Sequence, residues 1–146
     1  MPEVKFYGCD YENGPAPTYI IIGASYYGQW LFVKSRKRGS YELPAGHIDR
    51  GETAFIAAGR ELMEETGARK FILECINTYS VADKDKLLTG KLFYASILEL
   101  AEIEDADEIE ECIMSSRLPG NLTFPAVQEE LFYRLEDFKS KKLDHD

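Results

Sequence analysis

Residues 17–24, Pro-Thr-Tyr-Ile-Ile-Ile-Gly-Ala, form a β-branched apolar run bounded by turn formers, the pattern of a buried strand. Residues 29–34 repeat that character beyond Ser25-Tyr26-Tyr27-Gly28, which predicts a hairpin partner. Longer strand patterns lie at about 69–81 and 90–101, and a short one at 112–116. The spacing turns helical twice. Over 53–66, Phe55, Ala58 and Leu62 share one side, Thr53 stands at the cap, and Gly67 occupies the place of a left-handed terminator. Over about 125–139, Val127, Leu131, Leu135 and Phe138 form a second apolar side, and the charged tail from Lys139 is expected to fray. Strands on both sides of an interior helix, followed by a terminal helix, predict an α/β fold with a mixed sheet flanked by helices. No repeat or linker divides the chain, so residues 1–146 are expected to form a single domain.

Composition narrows the partners. With 45% hydrophobic and 29% charged residues, the chain reads as an ordinary globular protein with one core. A net charge of -9 gives no support for a long nucleic acid held by bulk electrostatics. Such a chain can still take a phosphorylated ligand where a divalent cation inverts the local charge. The longest apolar stretch, 19–24, is too short to span a bilayer, so no membrane partner is expected. The first residues lack an apolar signal core, so a cytoplasmic location is expected. Cys9, Cys75 and Cys112 are odd in number and widely spaced. They are expected to be reduced, half-buried thiols, neither disulfide-bonded nor metal-binding.

Candidate chemistry concentrates on the interior helix. Glu61, Glu64 and Glu65 are spaced i, i+3, i+4, which places three carboxylates on one side. A hard divalent cation relieves their repulsion by accepting oxygen ligands from several of them. Taken alone, such a triplet is more often a solvated helix face. The wider frame changes that reading. Gly46, five residues, Glu52, seven residues, Arg60-Glu61-Leu62, one residue, Glu64-Glu65, one residue and Gly67 follow without a gap. At average usage, the seven positions of fixed residue type, Leu62 left aside, match by chance with a probability on the order of 10⁻⁹ to 10⁻⁸. The frame resembles the signature box of the Nudix hydrolases. It departs at Ala68, where a larger aliphatic residue is usual.

The resemblance implies an α/β/α sandwich that uses Mg²⁺, or Mn²⁺, to hydrolyse a nucleoside diphosphate linked to another group. By position in the box, Glu64 and Glu65 would be the principal metal carboxylates, and the Ala45 carbonyl would complete the shell. Glu61 would be a third ligand or the general base. Glu52 and Arg60 would orient loop and helix, while Arg60 also stands i, i+4 from Glu64. A distal carboxylate is expected from the acidic loop 102–111, with Glu108 favoured over Glu111. Arg36, Lys37 and Arg38 could meet phosphates, and Gly46 and His47 could contact substrate. Tyr19, Tyr41 and Phe93 could stack a base or fill the core, and His145 is not expected to contribute. The reaction best matched is cleavage of a nucleoside triphosphate, oxidised ones included, to monophosphate and pyrophosphate. ADP-ribose or another nucleotide sugar is an alternative, because Leu43-Pro44-Ala45-Gly46 resembles that group. Removal of pyrophosphate from an RNA 5′ end is another. A non-catalytic nucleotide-binding regulator is the alternative of a different class, although no box carboxylate is missing. Homodimers are common in the family, and Tyr133 and Phe138 are candidates for burial.

Overall fold

A computed structural model describes the backbone of residues 2–145 and the side chains of residues 2–142, so the His145 side chain lies outside the described residues. In chain order the elements are β1 (Glu3–Tyr7), β2 (Tyr19–Tyr26), β3 (Gln29–Ser35), β4 (Tyr41–Glu42), β5 (Ala45–His47), α1 (Ala54–Thr66), β6 (Ala68–Asp83), β7 (Lys86–Leu100), β8 (Ile109–Ser115) and α2 (Pro125–His145). The sheet runs β1-β6-β7-β2-β3-β4, with β5 added to β2 and β8 to β3. Only β2 and β7 pair in parallel; the other named strands pair antiparallel, so the sheet is mixed.

The apolar run of β2 follows from its central place. Ile20, Ile22 and Ala24 pack in one layer with Ala57, Ala58 and Leu62 of α1. Ile21 joins the opposite layer, with Leu131, Phe132 and Leu135 of α2. A strand covered on both faces reads as a near-continuous apolar run. Gly23 lies directly under Leu135, where a Cβ would overlap the leucine side chain. One helix on each face makes the α/β/α sandwich expected from the sequence. The β2–β3 turn is tight: Tyr27 (φ 49°) and Gly28 (φ 78°) form the two-residue link whose twist suits a hairpin.

The interior helix begins and ends as its sequence indicates. The Thr53 side chain accepts a hydrogen bond from the Ile56 amide, and Gly67 (φ 84°) closes the helix with its N–H on the Met63 carbonyl. Phe55 departs from expectation. It is 55% exposed, and Ala57 takes its place in the core beside Ala58 and Leu62. Phe55 sits on the first turn, and its ring meets Phe93 edge-on from the periphery.

Two further expectations are overturned. Cys9 and Cys75 form a disulfide, with Cα atoms 6.3 Å apart, and Cys112 alone is free among the described residues. The reason is β1, an edge strand that the sequence reading missed. Its pairing of Tyr7 with Thr78 carries Cys9 to the neighbourhood of Cys75. The terminal helix also does not stop at Lys139 but continues to His145. Contacts of its last turns account for this, because Lys139 Nζ donates to the Gly28 carbonyl at 2.7 Å and Lys142 pairs with Glu74 at 3.0 Å. No helix among the described residues is long and apolar enough to cross a membrane.

Candidate active site

Strand β5 brings 45–47 alongside β2, with Ile21 opposite Ala45, and α1 packs over the pair. Gly46 is what permits the close approach. A Cβ there would overlap the Glu61 carboxyl group, so only glycine lets that side chain lie across β5. One turn further along α1, Glu65 is buried and accepts a hydrogen bond from the Ala45 amide at 3.0 Å. Ala68 is fully buried in the α1-side layer, so its small side chain is absorbed by packing.

Arg60 is the hub. Its Nε and Nη2 form a fork on Glu52, at 2.7 and 2.9 Å, the planar geometry that a guanidinium presents to a carboxylate. Nη1 reaches Glu61 at 2.9 Å and Glu64 at 3.4 Å, while Nη2 donates to the His47 carbonyl at 3.2 Å and pairs with Asp49 at 3.3 Å. Both readings of Arg60, the Glu52 pair and the i, i+4 pair with Glu64, are therefore present. Asp49 was missed. Its only sequence signal is its place three residues before Glu52, whose carboxylate accepts from the Asp49 amide at 2.8 Å.

The electrostatics follow from this crowding. The Arg60 hydrogen bonds hold the Glu52 carboxyl down at about 2. Burial pushes Glu61 up, outweighing its bond to Arg60. Glu65 rises from the ordinary 4.5 to about 8, chiefly by burial, with the charges of Glu61, Glu42 and Glu108 adding to the rise and the Ala45 N–H opposing it. Glu108 is exposed, and its charge acts on both Glu61 and Glu65, which puts it within electrostatic range of the helix carboxylates. Glu111, the second choice, accepts a hydrogen bond from the Tyr41 hydroxyl instead.

Glu61 and Glu64 turn toward Arg60 and Glu65 toward Ala45, so no three metal-ligating side chains among the described residues converge on one point. The donor set still fits a hard divalent cation. It is all oxygen, partly desolvated, and carries more negative charge than Arg60 neutralises.

Two expected outcomes follow. Between about pH 4.5 and 8 the folded state holds a proton on Glu65 that the unfolded state has released. Stability of the metal-free protein should therefore fall as pH rises through that window, measured as a descending thermal midpoint. A midpoint that rises from pH 5 to 8 would contradict the burial of this carboxyl. Arg60→Met should lower the midpoint by roughly 5 °C at pH 7 and activity by about 10–100-fold, the usual cost of losing a group that orients metal ligands. An unchanged midpoint would show that the fork adds nothing to the fold.

Beside the acidic ridge opens a cavity of about 490 Å³ whose wall includes Ala45 and His47. Tyr19, Arg38 and Glu42 line it, with Tyr79 and Gln128 from β6 and α2, and Phe124 stands at its rim. Arg38, His47 and Tyr19 thus lie where a substrate could meet them. Arg36 does not line this cavity, because its Nε donates to the Ala106 carbonyl at 2.8 Å. Tyr41 is likewise turned to Glu111, and Phe93 is core, with 2% of its surface exposed. Lys37 is exposed and outside the cavity wall. Glu42, Tyr79, Phe124 and Gln128 were not anticipated, since residues so far apart in sequence meet only through the fold.

This arrangement of fold and box is that of a hydrolase of phosphoric anhydride bonds, and the comparisons agree. The NUDIX domain model matches residues 16–138, and the chain belongs to that family. YtkD of Bacillus subtilis strain 168, provisionally named an 8-oxo-dGTP diphosphatase, is 33% identical over 114 residues, covering 78% of this chain and 72% of YtkD. An RNA pyrophosphohydrolase of Baumannia cicadellinicola subsp. Homalodisca coagulata is 40% identical over 58 residues, 40% of this chain and 36% of its own. Among solved structures, a mutant of the Bacillus subtilis pyrophosphohydrolase BsRppH superimposes with a TM-score of 0.80 at 27% identity, covering 94% of this chain and 90% of that one.

Proposed function

We propose that the chain is a metal-dependent pyrophosphohydrolase that cleaves a nucleoside 5′-triphosphate, oxidised nucleotides included, to monophosphate and pyrophosphate. The observation that carries this reading is the shared wall: His47 of the box, and Ala45 immediately before it, line a cavity of about 490 Å³, within the size range of small-molecule sites. A nucleoside fits the cavity while its phosphates reach the acidic ridge.

Glu61, Glu64 and Glu65, with the Ala45 carbonyl and Glu108, would hold Mg²⁺ or Mn²⁺. The ion supplies charge neutralisation at the phosphoryl oxygens and a lowered pKa for the attacking water. Glu61, held above the ordinary carboxylate range by burial, is the group placed to accept a proton from that water. Arg60 and Glu52 fix the helix against the loop. Arg38 and His47 offer contacts for phosphate or sugar from the cavity wall. Use of nucleoside triphosphates would suit a cytoplasmic setting.

The likeness to an RNA pyrophosphohydrolase favours one second reading, in which the triphosphate is carried on an RNA 5′ end. A screen of nucleoside triphosphates, nucleotide sugars including ADP-ribose, and short 5′-triphosphorylated RNA, with products identified by mass, tests both. Release of pyrophosphate from free triphosphates is expected. Cleavage confined to ADP-ribose or another sugar nucleotide would overturn it, and nucleotide binding without turnover would favour a regulatory module.

A further inference from the structure

Cys9 and Cys75 are joined across 66 residues of sequence, and the hydrolytic reading gives this bridge no part. Both cysteines are half-buried, and Gly8 and Asp10 beside Cys9 are exposed, so a small thiol can reach the pair. Two buried layers already give this chain of 146 residues a core, unlike the small domains that depend on disulfides for want of one. Where glutathione keeps thiols reduced, an isolated bridge is usually transient and redox-sensing.

The bridge also lies where it can act on the cavity. β1 is an edge of the sheet, held on β6 by five pairings, from Glu3 opposite Ala82 to Tyr7 opposite Thr78. The β6 residues Tyr79, Val81 and Asp83 line the cavity, as does Pro2 just before β1. Phe6, opposite Tyr79, packs against the α2-side layer, with the Arg134 guanidinium 4.1 Å from the centre of its ring. β1 therefore backs one wall of the cavity. Its far end has few other ties. The Asn77 amide donates to the Tyr7 carbonyl at 2.9 Å, and Tyr7 stacks on Tyr11 with ring centres 4.0 Å apart. Residues 10–18 then form no strand or helix and are mostly exposed. A short edge strand followed by such a segment belongs to the low-stability end of a fold.

Resting on the nucleotide reading above, we infer that the Cys9–Cys75 pair is a redox switch on substrate affinity. Closed, the bridge clamps β1 behind the cavity wall; open, β1 frays and the wall loosens. The oxidant is a small disulfide such as glutathione disulfide. The Cys9 thiolate attacks one glutathione sulfur and expels a glutathione thiolate, and Cys75 then attacks the Cys9 sulfur of the mixed disulfide and expels the second. Two protein thiols lose two electrons and two protons, and one glutathione disulfide becomes two glutathione thiols. Reduced glutathione reverses both steps. The acidic ridge stands on α1, and β5 pairs with β2, so neither rests on β1 and the switch acts on KM rather than kcat.

The test compares the two redox states of the wild-type protein. Samples are equilibrated in glutathione buffers from oxidising to reducing, and free thiols are trapped with a maleimide and counted by mass. Both states should be populated in millimolar glutathione, with the two thiols gained or lost together. A bridge that stays closed in millimolar reduced glutathione, or that never forms in glutathione disulfide, would overturn the proposal. Amides of residues 3–7 should exchange hydrogen about tenfold faster in the reduced protein, with α1 unchanged. With GTP or ATP, reduction should raise KM by about threefold or more and leave kcat within about twofold, because only the clamped fraction binds well. Cys9→Ser should show the reduced KM in every buffer. Equal exchange at 3–7, or equal KM in the two states, would make the bridge merely structural. If Cys9→Ser does not fold by circular dichroism, the wild-type comparison decides. A protein that cleaves no triphosphate in either state would refute the hydrolytic reading alone, and thiol counts and exchange would still decide the switch.

Discussion

Glu64→Gln should lower kcat by about 10²–10³-fold, the range seen when one preorganised electrostatic group is removed, while the thermal midpoint shifts by no more than about 2 °C. The two halves of this expectation have separate grounds. The Glu64 side chain is 38% exposed, and it pairs with Arg60 through a 3.4 Å bond, so an amide of equal size disturbs little packing. Its charge is what the proposed metal site would draw on. Glu64 shares a helix face with Glu61 and Glu65, and Glu65 bonds to Ala45 in the wall of the cavity proposed to seat the substrate. Steady-state kinetics with a triphosphate, alongside a melting curve, provide the check. Near-normal turnover in a folded variant would sink the assignment of Glu64 as a metal carboxylate.

Chelation should have the larger effect. EDTA is expected to take hydrolysis to background, and an excess of Mg²⁺ or Mn²⁺ to restore it. Asp49, Glu52, Glu61 and Glu64 all pair with the single Arg60 guanidinium, and Glu65 lies buried one turn away from Glu61. A polyphosphate brought to that surface without a cation meets like charge in a poorly solvated place. Binding of the cation should expel the proton that Glu65 holds up to about pH 8, so cation affinity should rise with pH across the neutral range. Added cation should also raise the thermal midpoint, because a ligand that binds only the folded state stabilises it. Hydrolysis that survives in chelator would count against the whole mechanism.

The helix and its carboxylates were legible in the sequence because their determinants are local. Thr53, Gly67 and the i, i+3, i+4 spacing act within a few residues, and the box frame fixes Gly46 and Glu52 relative to them. Strands β2 and β3 were legible too, since burial on both faces leaves a continuous apolar run. What was hidden depends on pairing at a distance. β1 is a short edge strand whose register against β6 sets the Cys9–Cys75 bond, and no local pattern reports that partner. The cavity wall was hidden likewise, because Glu42, Tyr79 and Gln128 come from three separate elements. Phe55 misled because spacing identifies a helix side but not how far the sheet extends beneath it.

The β6–β7 hairpin has a further consequence for how the chain reaches this fold. Its register begins with Asp83 opposite Lys86 and extends to Ala68 opposite Leu100, so each pairing closes onto one already made. The parallel β2–β7 ladder instead joins Tyr19 to Gly90 across about half of the chain. Closing so long a loop costs entropy that a zippering hairpin avoids. The hairpin should therefore acquire amide protection first in pulse-labelling exchange, with β2 and β5 following. The acidic ridge would then be assembled last, as α1 and β5 settle onto a sheet already half built.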